Sequence, residues 1–149
     1  MDLRYAKRSE DTEQIKVIEW ALRAQEEYPE LRWLHHIPNG GKRGKVEAAK
    51  LKQMGVKAGV SDLCLPHPKG CYHGMYIEMK FEDNRPSKEQ LEFLACMKEA
   101  GYFVCICYSF EAAKEILIQY LQLYDRQILN TSMLKREVRY NTKGILIIG

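Results

Sequence analysis

Residues 75–81, with the sequence MYIEMKF, place two opposite charges within an apolar pattern that otherwise predicts a β-strand. The apolar residues at positions 75, 77 and 79 alternate with more polar ones, and alternate side chains of a strand project from the same face. Glu78 and Lys80 therefore lie on one face of this strand. The fold must compensate both charges, because removal from water disfavours a carboxylate and an ammonium alike.

Helix and strand patterns alternate along most of the chain. Ser9, Thr12 and Glu13 offer capping chemistry at the start of the first helix. We predict helices at residues 9–27, 45–54, 87–100 and 109–124, and strands at residues 31–37, from close to Asp62, at 75–81 and at 102–108. The second and third strands are expected to form a hairpin. This order predicts an α/β fold with a mixed central sheet and helices on its faces.

A chain of 149 residues has room for one ordinary domain. We place this domain at residues 1–124, where the periodic patterns end, and treat residues 125–149 as a C-terminal tail. Three alternatives stay open for residues 145–148: an edge strand, a partner-binding tail or a poorly ordered segment.

Composition limits the class of protein. The net charge is only +3, so any nucleic-acid interface must come from local clustering of basic residues. No apolar run reaches the roughly 18–20 residues needed to span a bilayer, and the polar start has no apolar signal segment. Five cysteines without a paired framework favour reduced thiols. We expect a cytoplasmic protein without a membrane partner.

The segment between the two hairpin strands holds Cys64, His67, Cys71 and His73, whose side chains are possible zinc ligands. Its prolines and glycines favour the simpler interpretation of a polar turn. The zinc alternative stays open on the sequence alone.

A magnesium site is the stronger chemical hypothesis. Asp62 begins one strand and Glu78 lies on the next, so two carboxylates and the Lys80 ammonium converge on one place. A divalent cation would relieve the repulsion between the carboxylates, and Mg²⁺ or Mn²⁺ commonly takes one or two such oxygen ligands. The main-chain carbonyl of Met79 is a further expected ligand. Lys80 could orient an attacking water and offset developing negative charge.

A basic, glycine-containing loop precedes the second helix, and basic residues continue through Lys50, Lys52 and Lys57. Lysine, arginine and glycine amides can contact phosphate oxygens without reading base sequence. A solvated loop and helix face is the alternative interpretation. The predicted DNA-binding residues are Asn39, Gly40, Gly41, Lys42, Arg43 and Lys45.

Several stretches in register resemble the VRR-NUC family, the virus-type replication and repair nucleases of the PD-(D/E)xK superfamily. They are the helix-one residues Glu10, Gln14 and Trp20, the sequence HIPNGGKR from His36, the sequence GVKAGVSD that ends at Asp62, IEMK that ends at Lys80, and SKEQLEF that ends at Phe93. The resemblance covers residues 10–121 and implies a restriction-endonuclease-like core.

The resemblance implies roles for five residues. Asp62 and Glu78 would bind the metal, Lys80 would be the catalytic lysine, Gln90 would support the site, and Glu10 would be the acidic residue of helix one. Glu13 and Glu19 lie on the same helix, and only spacing to Gln14 and Trp20 selects Glu10. Ser61 replaces the proline of the superfamily motif, and because that proline shapes backbone, activity is expected to survive.

The family implies a metal-dependent, structure-selective DNA endonuclease, with Holliday junctions as an expected substrate. Paired cuts in a four-way junction need two active sites and hence a homodimer, for which the C-terminal tail is the candidate element. The expected location is the cytoplasm of a bacterial or phage-infected cell. Two alternatives stay open: an inactive nucleic-acid-binding module or accessory subunit, and a sequence-specific restriction enzyme, for which the chain leaves little room.

Overall fold

A six-stranded mixed sheet with helices on both faces forms the fold of this protein. The computed structural model describes residues 2–38 and 43–149. The helices are α1 (Glu10–Arg23), α2 (Lys45–Gln53), α3 (Lys88–Glu99) and α4 (Phe110–Leu121), and the strands are β1 (His35–His36), β2 (Leu63–Leu65), β3 (Met75–Met79), β4 (Phe103–Cys107), β5 (Val138–Tyr140) and β6 (Leu146–Ile148). The predicted α/β class is confirmed.

The strands lie in the order β1-β2-β3-β4-β6-β5. The β2 and β3 strands pair antiparallel, as predicted for the hairpin, whereas β3 pairs in parallel with β4, and β4 in parallel with β6. The β1 and β5 strands close the two edges by antiparallel pairing. The β3 strand is therefore enclosed on both sides, which explains why four of its five residues are buried.

Two apolar clusters pack against opposite faces of the sheet. The larger one joins Ile77 of β3 to Val17 of α1 and Ile116 of α4. The smaller one joins Ile106 of β4 to Leu94 of α3. Because side chains alternate along β3, Glu78 projects towards the α3 face and away from the larger cluster.

The predicted strand at residues 31–37 is mostly wrong. Residues Pro29–Trp33 form a 3₁₀ helix that begins with proline, and only His35–His36 are extended. Leu31 and Leu34 are buried at a spacing of three, which suits a 3₁₀ turn rather than the alternation of a strand. Both histidines are exposed.

The C-terminal segment contributes two strands to the same sheet. The β6 strand lies between β4 and β5, so residues 145–148 are not an edge strand. Leu146 and Ile148 pack with the larger cluster, whereas Ile145 and Ile147 pack with the smaller one. This run of four apolar residues is buried on both faces of the sheet, as parallel inner strands usually are. None of the described helices is long and apolar enough to cross a membrane.

Gly59 lies where the chain between α2 and β2 passes the start of α3. It has a φ of +89°, and a Cβ atom at this position would lie 2.5 Å from the main-chain carbonyl oxygen of Glu89. Only glycine tolerates both the backbone conformation and the close approach. The contact holds the segment before Asp62 against the first turn of α3.

We predict that Gly59→Ala lowers the free energy of unfolding by about 2–4 kcal/mol, because it adds both backbone strain and a clash with main-chain atoms. Gly44→Ala is the matched control, since its φ is −60° and no atom of residues 2–38 or 43–149 lies within 4 Å of the added Cβ. It should cost less than about 1 kcal/mol. Urea denaturation of both variants measures the difference, and equal losses would contradict the proposed contact.

Candidate functional site

Asp62 and Glu78 face each other across the β2–β3 pair. Leu63 pairs with Ile77 in the antiparallel register, so one further step brings Asp62 opposite Glu78. Side chains directly opposite in such a pair have Cβ atoms about 4.5–5.5 Å apart. The register thus places two carboxyl groups side by side, although 15 residues separate them in sequence.

Hydrogen bonds fix Asp62 at both its side chain and its main chain. The Oδ2 atom of Asp62 accepts from the main-chain N–H of Met79 at 2.8 Å. Its carbonyl oxygen accepts from the N–H of Ile37 at 2.9 Å and lies 2.7 Å from Nδ1 of His36. The β1 edge strand therefore has a positioning role for the residue that precedes β2.

Gln90 connects Glu78 to the start of α3. Its Oε1 atom accepts from the main-chain N–H of Ser87 at 2.8 Å, while the Ser87 hydroxyl accepts from the N–H of Gln90 at 3.1 Å. This reciprocal capping box leaves the amide Nε2 free to donate to Oε1 of Glu78 at 2.9 Å. An amide side chain accepts at its oxygen and donates at its nitrogen, whereas an ionised glutamate can only accept, so glutamine suits this position.

Burial and like charge make Glu78 hard to ionise. Its side chain is 1% exposed, and Oε2 has no hydrogen-bond partner among the described residues. Desolvation, followed by the neighbouring Asp62 carboxylate, raises the pKa of Glu78 to about 9, and Lys80 only partly offsets this effect. Without a further positive charge, Glu78 is protonated at neutral pH.

The Lys80 ammonium lies between two carboxyl groups at the end of β3. Its Nζ atom is 3.7 Å from Oε1 of Glu78 and 3.8 Å from Oε1 of Glu10. Glu10 also accepts a hydrogen bond from Nδ2 of Asn84 at 3.0 Å. The first residue of α1 therefore reaches the same place as β3.

The neighbouring Glu13 has a different environment. It is fully buried and pairs with Arg8 at 2.8 Å and Lys16 at 3.2 Å. Burial alone would raise its pKa, but hydrogen bonds from Arg8, the N–H of Phe110 and Lys16 together lower it. Glu13 thus joins α1 to α4, while Glu10 is the helix-one carboxylate that faces Lys80.

The donor set fits a hard divalent cation. Asp62 and Glu78 form a pair of carboxyl groups, and one oxygen of Glu78 is buried with no partner in the part of the chain that the structure describes. Within residues 2–38 and 43–149, no three His, Cys, Asp or Glu side chains are placed to hold one metal ion. A pair suffices for Mg²⁺ or Mn²⁺, which typically keep several water ligands beside one or two carboxylates.

The four residues proposed as zinc ligands are not brought together as a metal-binding group. Cys64 is buried in β2, where desolvation raises the pKa of its thiol, whereas Cys71 is exposed. His73 packs edge to face against Tyr102.

The predicted DNA-binding residues are only partly described. Asn39, Gly40, Gly41 and Lys42 lie outside the described residues. Arg43 is exposed and pairs with Glu47 of α2 at 3.2 Å, and Lys45 is exposed at the start of that helix.

Sequence reasoning missed two residues of the site. Asn84 holds Glu10, and His36 approaches the carbonyl oxygen of Asp62. Asn84 lies in a polar turn where asparagine is ordinary, so its residue type gives no signal. His36 begins the sequence HIPNGGKR, which resembles the family. Its position at the sheet edge next to Asp62, however, depends on long-range strand pairing.

Two comparisons with known proteins bear on this site. The family profile of the VRR-NUC domain matches residues 8–111, which is more than half of the chain. A solved structure of a VRR_NUC domain protein superimposes with a TM-score of 0.70 at 29% identity, covering 84% of this chain and 100% of the other. A comparison with curated proteins finds no match. The matched range includes Glu10, Asp62, Glu78, Lys80 and Gln90.

We predict that Glu78→Gln stabilises the metal-free protein at neutral pH by roughly 1–3 kcal/mol. A carboxyl whose pKa rises from 4.5 unfolded to about 9 folded contributes stability that is present below pH 4.5 and lost as pH rises towards 9. The amide of the variant does not ionise, so the variant does not lose this stability as pH rises. Thermal unfolding from pH 5 to 9 in EDTA measures the effect.

The same variant should lose the rise in unfolding temperature that Mg²⁺ gives the wild type. A metal-free variant less stable than the wild type at neutral pH would contradict the assigned environment of Glu78.

Proposed function

We propose that this chain, which belongs to the VRR-NUC family and has its nuclease-type fold, is a metal-dependent endonuclease that hydrolyses phosphodiester bonds in DNA. One observation carries the proposal: the buried Glu78 lies beside the half-buried Asp62 and the buried Lys80, and its Oε2 atom has no hydrogen-bond partner among the described residues. A purely structural role would leave this cluster strained, whereas a cation and a phosphate would compensate its charges.

Asp62 and Glu78 would hold Mg²⁺ or Mn²⁺, and the main-chain carbonyl of Met79 is a further proposed ligand. When bound, such an ion polarises a phosphate and lowers the pKa of a coordinated water. The contribution of the protein is rigidity. The Met79 N–H holds Asp62, and Gln90 holds Glu78, so neither carboxylate has to reorganise when the ion enters.

Lys80 is proposed as the catalytic lysine. The carboxyl groups of Glu78 and Glu10, each within 4 Å, restrict its ammonium beside the proposed metal ligands. From there it can orient an attacking water and donate to a phosphate oxygen as negative charge develops. Glu10, itself held by Asn84, fixes the lysine from the α1 side.

The basic loop before α2 is the proposed contact to the DNA backbone. Arg43 and Lys45 are exposed and can meet phosphate oxygens, and Asn39, Gly40, Gly41 and Lys42 extend the same segment. Contacts of this kind position DNA without reading bases. They suit an enzyme that selects the shape of its substrate.

We further propose that the enzyme prefers branched DNA and resolves four-way junctions as a homodimer. The C-terminal segment offers a surface for such pairing, because several large apolar side chains are more than half exposed there. They are Tyr124, Ile128, Met133 and Tyr140. Two active sites related by a two-fold axis would match the symmetry of a junction.

Cleavage of labelled duplex, flap and four-way junction DNA tests this proposal. The wild type should cut in Mg²⁺ or Mn²⁺ and not in EDTA, with paired symmetric cuts in the junction. Asp62→Ala and Lys80→Met should each lower the rate by about 10²–10³-fold. Lys16→Met is the matched control, since Lys16 also pairs with a buried glutamate but lies outside the site.

The control should stay within about threefold of the wild-type rate, because it touches neither metal nor phosphate. If the wild type binds DNA but cuts none of the substrates with either metal, the protein is a binding module and the enzyme proposal is wrong. Equal rates for Asp62→Ala and wild type would show that the site is misplaced.

A further inference from the structure

One short segment of this protein, residues 43–57, has a strong excess of basic residues, and we call it the basic arm. It contains one acidic residue, Glu47, and five basic residues: Arg43, Lys45, Lys50, Lys52 and Lys57. Its excess of four positive charges is larger than the net charge of +3 of the whole chain, so the remaining residues are together slightly acidic. The arm is a local cationic surface on a nearly neutral protein.

The helix within the basic arm packs against little of the protein. None of the nine residues of α2 is buried, and only Leu51 is half-buried. By contrast, α1, α3 and α4 each bury at least one residue against the sheet. Helices shorter than about 12–15 residues are marginal in water without packing. The exposure of α2 therefore leaves a face that a partner can cover.

The end of α2 is nevertheless well defined. Gly55 has a φ of +108° and its N–H donates to the carbonyl of Lys52, while the N–H of Val56 donates to the carbonyl of Leu51. These two bonds form a Schellman motif, which satisfies the last carbonyl groups of a helix. The helix thus has a fixed exit towards Gly59.

We propose that α2 and its flanking lysines dock on a double-stranded arm of the DNA substrate, through its phosphates and without sequence preference. Charge complementarity supports this occupant, because duplex DNA is a dense polyanion and the exposed basic arm carries five basic residues against one acidic residue. The inference rests on the proposed function, and it adds Lys50, Lys52 and Lys57 to the loop residues as substrate contacts.

A short stretch of chain connects the docking surface to Asp62 and Glu78, the proposed metal ligands. Gly59 follows α2 and lies against the main chain of Glu89 in the first turn of α3. The next residue of that turn, Gln90, donates to Glu78, and Asp62 follows Gly59 by three positions. A duplex arm bound along α2 would therefore be linked, through Gly59, to the turn that holds Glu78 and to the segment that leads into Asp62.

An anionic membrane is a poorer occupant for the same surface. Membrane-surface helices carry a continuous apolar face opposite their basic residues. In α2 the exposed Val46 lies beside Glu47, and the lysines at positions 50 and 52 flank the half-buried Leu51. Such a short helix has no apolar face that a bilayer could accept.

Salt-dependent DNA binding tests the proposal with matched double variants. Lys50→Gln/Lys52→Gln removes two charges from the arm and keeps good helix formers. Lys135→Gln/Lys143→Gln removes two exposed charges near β5, at the opposite edge of the sheet. Fluorescence anisotropy of a labelled duplex in EDTA, at several KCl concentrations, gives the slope of log affinity against log salt.

The arm variant should reduce the magnitude of this slope by roughly two, about 0.9 for each lost phosphate contact, and the control should keep the wild-type slope. Any of three results would overturn the docking proposal. The arm variant and the wild type could have equal slopes, the two double variants could lose equal amounts of slope, or the wild type could fail to bind duplex DNA. A membrane role would also overturn it. In that case the wild type would bind phosphatidylserine vesicles, and the arm variant would lose this binding but keep its duplex binding unchanged.

Cleavage by the wild type separates the two proposals. If it cuts DNA while the slopes are equal, the nuclease proposal stands and the docking helix is wrong. If the slope falls as expected and no DNA is cut, the docking helix stands and the nuclease proposal fails.

Discussion

The rest of this structure depends on one constraint: the buried carboxyl group of Glu78 is held beside the half-buried carboxyl group of Asp62. The β2–β3 register puts Asp62 opposite Glu78, and burial raises the pKa of Glu78 to about 9. Proteins rarely keep such a pair without compensation, because each carboxylate raises the cost of ionising the other. Lys80 supplies one positive charge, and one oxygen of Glu78 has no hydrogen-bond partner in the described part of the chain. We propose a divalent cation as the compensation.

The surrounding elements can be understood as supports for that pair. The edge strand β1 and the Met79 N–H hold Asp62, and the capping box of α3 directs Gln90 to Glu78. Gly59 lets the chain before Asp62 approach the same turn of α3. Three separate segments thus meet within a few ångströms, which gives the rigidity that metal sites need from their outer contacts.

The sequence was most informative where a pattern was local. Alternation in residues 75–81 predicted β3, and serine capping predicted the start of α1. It failed where the structure depends on distant pairing. The segment that begins at Pro29 forms a 3₁₀ helix, and β6 lies between β4 and β5. No local sequence pattern predicts this position of β6. The spacing along helix one likewise could not show that Glu10, rather than Glu13, faces Lys80 in the fold.

The protonation state of Glu78 is the most direct measure of this account. Carbon-13 NMR of the labelled side-chain carboxyl can follow its titration in metal-free protein and again with Mg²⁺. The account predicts a carboxyl that is protonated at pH 7 without metal, titrates near pH 9, and ionises at pH 7 when Mg²⁺ is added. Titration near the ordinary value of 4.5, or a spectrum at pH 7 that Mg²⁺ leaves unchanged, would contradict the metal site.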